Sequence, residues 1–185
     1  MKIRLVAILL ALAAPAIAAP SAWTVDKASS SLKFASSLGG EAFSGAFRRW
    51  DADIHFDPAD LAHSSVTVTV EAASAATGDT DRDQALPGAD FFAVANFPRA
   101  VFRAVAFKMT GPGFYLATGT LTMRGVTRPL ALPFSLAITG PAAKMSAQLA
   151  INRLAFGVGQ NEWKATTTLP AAVRLNIMLN AKRGR

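Results

Sequence analysis

The sequence predicts an all-β fold, a sheet of about eight strands closed into a barrel around an apolar interior. Three observations carry that expectation. Leu130, Leu132, Phe134, Leu136 and Ile138 fall on every second position, the spacing that lines up side chains on one face of a strand. The same rhythm returns at Val66, Val68 and Val70, and again at Val173, Leu175, Ile177 and Leu179. Turn residues punctuate the rows, at Asp57-Pro58-Ala59-Asp60, Gly111-Pro112-Gly113 and Gly140-Pro141, where proline and glycine supply the bends and aspartate bonds nearby amides.

Residues 1–18 stand apart from the fold. Lys2 and Arg4 precede an apolar run from Leu5 to Leu12, and Ala16-Ile17-Ala18 offers small residues for cleavage. This is the pattern of a secretory signal peptide, too short for a membrane span. Residues 19–185 are then one domain. The chain has no cysteine, so disulfides, thiol catalysis and cysteine-bound metals are excluded, and packing with strand pairing must hold an exported domain together. The formal charge of +7 drops by two when Lys2 and Arg4 leave. A basic exterior either keeps the protein soluble or favours transient contact with an anionic membrane surface or head group. Nucleic acid is not expected, because no aromatic-basic stripe forms a base-stacking platform.

Along the domain, Trp23-Thr24-Val25-Asp26 opens the fold and Ser31 to Ala35 makes a first strand. After the Gly39-Gly40 bend, Phe43 to Trp50 and Ala52 to Phe56 form a second strand and its continuation or partner, and Ser65 to Glu71 follows. The rhythm stops from Ala72 to Pro98. There Asp79 to Gln84 reads as a helix start, with acids near the positive end of the helix dipole, and Pro87-Gly88 ends it. Residues 89–93 read as another short helical turn. So long an insertion in an all-β domain predicts a lid or rim over one mouth. Strands resume at Arg99 to Met109, with Val101, Val105, Phe107 and Met109 on one side. Phe114 to Met123, Arg128 to Ile138, Lys144 to Asn152 and, after an irregular stretch at Arg153 to Lys164, Thr166 to Leu179 complete the count. Pro133 removes a ladder donor, so it belongs at an edge, bulge or strand end.

Several segments together resemble the YceI-like family of secreted polyisoprenoid-binding proteins. They are Trp23-Thr24-Val25-Asp26, Ser31-Leu32-Lys33-Phe34, Gly45-Ala46-Phe47, Arg82-Asp83, Asp90-Phe91-Phe92 and Phe97-Pro98-Arg99-Ala100-Val101-Phe102. Gly119 to Thr127 and Arg153-Leu154-Ala155-Phe156-Gly157-Val158-Gly159 complete the set. The resemblance implies an eight-stranded antiparallel, lipocalin-like barrel capped by a short helical segment. It also implies an apolar tunnel for a long isoprenoid, such as a quinone tail, and a periplasmic location in a Gram-negative source.

Composition fits a lipid tenant, with twelve phenylalanines against one tyrosine, aromatic surface mostly without a polar handle. An eight-residue strand spans about 20 Å along a tilted barrel, so an octaprenyl-length tail must fold back or protrude. Phe91, Phe92, Phe97 and Phe102 cluster around the break in rhythm, either at the mouth or in ordinary core packing. Phe34, Leu116, Met123, Phe134, Ile151, Phe156 and Trp163 are further candidates for the wall. Arg82 and Arg153 lie in the irregular stretches, suited to a ligand head group through their planar fork or to a salt bridge with a local carboxylate such as Asp83 or Asp90.

Other chemistry finds less footing. Asp79, Asp81, Asp83 and Asp90 mimic part of a calcium loop, but Gln84 stands where the sharp turn needs glycine. His55, Asp57, Asp60 and His63 follow a turn and share no fixed ligand face. No nucleophile elbow is present, and Gly157-Val158-Gly159 lacks the third glycine of a dinucleotide loop. The expectation is therefore a binding protein with no catalytic residues, cofactor or metal. Its rivals are a partner-binding domain with a filled interior, and a lipid hydrolase or isomerase using His55 with Asp57. An edge strand would permit a homodimer under either picture.

Overall fold

The computed structural model describes residues 20–184; the leader expected over residues 1–18 lies outside them. The strands are β1 Ala22–Val25, β2 Ser31–Leu38, β3 Glu41–Phe47, β4 Trp50–His55, β5 Ser65–Glu71, β6 Ala75–Ala76, β7 Arg99–Gly111, β8 Phe114–Met123, β9 Val126–Thr139, β10 Ala142–Asn152 and β11 Ala172–Arg183. One helix, α1, covers Thr80–Ala85. The sheet runs β1-β4-β5-β7-β8-β9-β10-β11 and closes through β1 on β11, a ring of eight antiparallel strands. Closure removes free edges, which an all-β protein must otherwise protect.

Two of the eight strands are broken. β1 and β2 lie in series along β11, Trp23 to Val25 against Ala181 to Arg183 and Ser31 to Ala35 against Arg174 to Met178. The break is a 3-10 helix at Lys27–Ser29, where Asp26 accepts from the Ala28 N–H at 3.1 Å and the Ser29 hydroxyl at 2.8 Å. β3 and β4 are interrupted at Arg48-Arg49. There the buried Ser74 hydroxyl donates to the carbonyls of Arg49 (3.1 Å) and Glu71 (2.7 Å). Beyond that kink β4 stays with β5, while β3 leaves it to pair with β6.

The bulge in β7 corrects the expected facing of that strand. Register jumps between Ala104 and Ala106, so the inward face passes from Ala100, Phe102 and Ala104 to Phe107, and Val105 is thrown outward to 73 % exposure. Gly119 sits opposite, where a Cβ would run into the Arg103 carbonyl and come within 2.7 Å of the Ala104 Cα. Strand pairing thus demands glycine there.

Helix α1 begins where the acids predicted it, with Asp79 accepting from the Arg82 N–H at 3.0 Å. Residues 89–92 are turns and not a helix: the Ala93 N–H reaches back five residues to the Gly88 carbonyl at 2.9 Å and the Phe92 N–H six residues to Leu86 at 3.0 Å, with Ala93 at a left-handed φ of 47°. The last strand starts later than expected, at Ala172, because Leu169 and Pro170 are held against Arg153 by their carbonyls. The end of the barrel away from α1 is plugged by Trp23, Phe56, Tyr115 and Ala143, with Phe107 and Phe134 against them. Trp23 Nε1 donates to the Phe56 carbonyl at 2.8 Å, and the Phe56, Phe107, Tyr115 and Phe134 rings meet at 5.3–6.0 Å.

β9 and β10 pair only from Phe134 to Thr139 against Ala142 to Ala147. Leu136 donates its N–H to Gly113 at 2.8 Å, on the β8 side. Odd-numbered residues of β9 therefore aim their N–H groups at β10, and Pro129 and Pro133 delete two of those donors. The ladder stops at the residue next to Pro133. Below it the wall has a seam, with Arg128 Nε reaching the Ala155 carbonyl at 3.3 Å across it.

Candidate functional site: an apolar barrel cavity

The barrel is hollow. Among the described residues no large side chain is buried to less than 2 % exposure, although inward positions are occupied almost entirely by apolar residues. A cavity of ≈ 220 Å³ fills the half nearest α1. A second, of ≈ 80 Å³, lies under the aromatic plug. Val66, Phe102, Leu132, Met145 and Leu179 line both and form the partition between them.

Period two builds the wall. Leu130 and Leu132 of β9, Met145, Leu149 and Ile151 of β10, and Val173, Leu175, Ile177 and Leu179 of β11 all face the larger cavity. On the opposite side three rings form a chain, Phe34 to Phe47 at 5.3 Å and Phe47 to Phe92 at 5.8 Å. Gly45 lies beneath Phe34, where any Cβ would collide with the ring. Of the residues singled out from sequence, Phe34, Phe91, Phe92, Phe102, Met123, Ile151 and Arg153 line the larger cavity and Phe134 the smaller.

Five others line neither cavity. Leu116 shares β8 with Met123 but has the opposite parity, so it cannot share the inner face. Phe97 covers the β8–β9 hairpin at Gly125, where a Cβ would lie 2.7 Å from its ring. Phe156 is buried behind the wall with Met123 and Val158, and Trp163 packs on Phe91 at 5.3 Å. Arg82 bonds Asp79 at 3.3 Å, not Asp83 or Asp90, and stands 5.0 Å above the ring of Phe43, a lining residue.

The cap is made of two irregular segments clasped together. Arg124, which sequence reasoning passed over, donates to the carbonyls of Ala89 (2.7 Å) and Phe91 (3.2 Å) on one segment and Gly157 (2.6 Å) on the other. The Asp90 carbonyl accepts from Gly159 and Gln160, both at 2.8 Å, and its carboxylate from Asn161 at 2.7 Å. No local spacing could have signalled Arg124, since its partners are brought together only by the closed barrel.

Buried polar groups stand at two places in the lining. Ser36 has a buried hydroxyl with no hydrogen-bond partner. Arg153 is 3 % exposed and bonds three carbonyls, Val158 at 2.9 Å, Leu169 at 2.6 Å and Pro170 at 3.0 Å. The salt bridge expected for it is replaced by neutral acceptors. Burial pushes its guanidinium below the ordinary value, though arginine stays protonated at neutral pH. Gly159 makes room for it, at φ 88°, because a Cβ there would strike Nη1.

Nothing in the cavity resembles a nucleophile with its base. His55 faces outward, 3.1 Å from Asp53, and Asp57 caps its own turn through the Ala59 N–H at 2.9 Å. The aspartates of the calcium-like run are spread over separate tasks. Asp79 caps α1, Asp83 binds Thr77 and Gly78, and Asp90 holds the cap.

Known proteins share this architecture. Burkholderia cenocepacia BcnA superposes with a TM-score of 0.82 at 32% identity, covering 86% of this chain and 100% of that one. A polyisoprenoid binding domain from Saccharophagus degradans has the same fold, with a TM-score of 0.71 at 14% identity over 89% and 99% of the two chains. In sequence, Protein YceI of Escherichia coli O6:H1 is 37% identical over 95 residues, 51% of this chain and 49% of that protein. A UPF0312 protein of Pseudomonas syringae pv. tomato is 37% identical over 97 residues, 52% and 50% of the two. The matched stretch is about half the length of these curated relatives. The family model of the YceI-like domain matches residues 23–181, from the Trp23 plug through the last strand, and the chain belongs to that family.

Proposed function

We propose that the chain is an exported, non-enzymatic binding protein that holds the tail of a polyisoprenoid, a quinone or prenyl lipid, in its barrel. The observation that carries this is the ≈ 220 Å³ apolar cavity inside a closed barrel, in a family one of whose structural neighbours is described as a polyisoprenoid binding domain. Burial of apolar surface gives about 25 cal/mol per Å², so a tail is held without any hydrogen bond. Arg153, with three of its five N–H groups committed to carbonyls, and the buried Ser36 hydroxyl stand behind a surface that is almost wholly apolar, which suits a hydrocarbon tail. Carriage, storage or stress protection all use the same physical act, removal of a tail from water.

Native mass spectrometry of the gently purified protein, followed by organic extraction, tests the reading. The expected result is a one-to-one adduct that yields a prenyl chain. A bare protein that also refuses quinones and prenyl phosphates when offered them would sink it.

A further inference from the structure

Charge is segregated along this chain. Eleven of its twelve acidic residues precede Phe91, and the exception is Glu162, which lies in a 3-10 helix and not on a strand. Strands β7 to β11 carry no carboxylate, and they are consecutive in the ring, so every charged side chain on that side of the barrel is a cation. The ion pairs among the described residues involve Lys27, Arg49, His55, His63 and Arg82. None draws on the cations of β7 to β11.

The centre of that side has no charge. Outward positions of β8 and β9 hold threonine, serine, alanine and proline around Phe114, which is 58 % exposed. Lys108 pairs across to Leu116 and Leu116 to Pro133, while Ala137 pairs with Lys144. An uncharged strip, with Phe114 and Leu116 as its apolar side chains on β8, is thus edged by lysine on both sides, the two edges about 14 Å apart across three strand spacings. The β7 bulge adds Val105 to the same surface.

The geometry points to the outer face of β7–β11 as a docking surface for an anionic lipid bilayer, with Phe114 entering the head-group layer and Lys108 and Lys144 meeting lipid phosphates. An exposed aromatic ring in an uncharged centre between cations is an arrangement that binds at such an interface. A second copy docking by the same face would set cations against cations. The β9–β10 seam opens on this face, with cavity residues Leu130 and Leu149 just inside it, so docking brings membrane lipid to the thinnest part of the wall. The inference rests on the lipid-binding reading above for its purpose, though not for its geometry.

Co-sedimentation of the purified protein with vesicles tests it. Vesicles of equal phosphatidylcholine and phosphatidylglycerol should bind the protein, pure phosphatidylcholine should bind it far less, and salt should weaken the anionic case. Each lysine removed should cost about fivefold, so K108Q/K144Q loses about 25-fold, and F114S weakens binding further. K33Q, on exposed Lys33 of β2 outside this face, should leave binding unchanged. Equal loss in K33Q, no preference for anionic vesicles, or retention in K108Q/K144Q would overturn the proposal, as would capture of an acidic protein with vesicles ignored. Prenol binding in vesicle-free solution, read on the same samples, separates this outcome from failure of the lipid-carrier reading.

Discussion

Phe102 is the largest side chain in the partition between the two cavities, and its removal should lengthen the tail the barrel accepts. An apolar cavity of about 150 Å³ takes one benzene, or about 25 Å³ per carbon. On that scale the ≈ 220 Å³ cavity holds about nine tail carbons, close to two isoprene units, and the ≈ 80 Å³ cavity about three more. Each buried methylene contributes about 0.8 kcal/mol, so three give about 2.4 kcal/mol. Ordering the extra bonds returns about 1 kcal/mol of that. The net is about tenfold in affinity. In the native protein, prenyl alcohols should bind more tightly from five to ten carbons and then level off. Phe102→Ala should shift that plateau, favouring farnesol over geraniol by about tenfold more than the native protein does. The truncation costs about 3–5 kcal/mol of stability, so Phe102→Leu serves as a milder opening. Displacement of a fluorescent apolar probe by prenols of graded length reads the profile, and thermal unfolding reports folding. A folded variant with an unchanged farnesol-to-geraniol ratio would refute the partition, and a native protein whose affinity climbs steadily to long tails would refute a fixed cavity.

Gly119→Ala should destabilise by about 1–3 kcal/mol in urea titration, because the Cβ must displace the Arg103 carbonyl at the bulge. Arg153→Lys should be nearly as damaging as Arg153→Met in thermal unfolding, since one ammonium cannot span the carbonyls of Val158, Leu169 and Pro170. The Thr77 N–H at 2.6 Å, then its hydroxyl at 2.7 Å, hold the Asp83 carboxyl below its usual range. With the folded value depressed, this contribution is complete above the unfolded value of about 3.9. It fades as acid carries the pH down through the folded value. The protection of the 77–83 amides, taken relative to their intrinsic exchange rate at each pH, should therefore fall only in acid, and Asp83→Asn should remove that loss.

What the sequence made legible is what depends on near neighbours. The rows from Leu130 to Leu136 and from Val173 to Leu179 placed the β9 and β11 parts of the cavity wall, and Asp79 placed the start of α1. Period two even held the answer for Leu116, because a residue seven positions before Met123 on one strand must face the other way. The bulge in β7 was different. Whether Phe102 or Val101 points inward depends on Gly119 across the ladder, and pairing register is not written in either strand alone. The partners of Arg153, and the role of Arg124 altogether, were hidden for the same reason. Their acceptors lie up to 35 residues away, and the carbonyls they use belong to apolar residues or glycine, which no charge pattern reveals.

A closed barrel solves the edge problem of an all-β protein, yet a perfect ring would also seal its cargo out. This chain departs from the ring on both sides of the half that holds the larger cavity. β3 leaves β5 at the Arg48-Arg49 kink, and β9 leaves β10 where Pro129 and Pro133 have no N–H to offer. Each gap is covered by a segment outside the ring of eight strands, residues 72–98 with β6 and α1 at one and residues 153–171 at the other, and Arg124 bonds both covers at once. Elements joined by side-chain bonds to carbonyls open at lower free energy than a continuous ladder, because fewer hydrogen bonds break together. The plugged end has no such break, and its aromatic rings pack against one another. Stability is thus concentrated where the barrel must stay shut, and the weaker joints lie around the cavity that a tail has to enter.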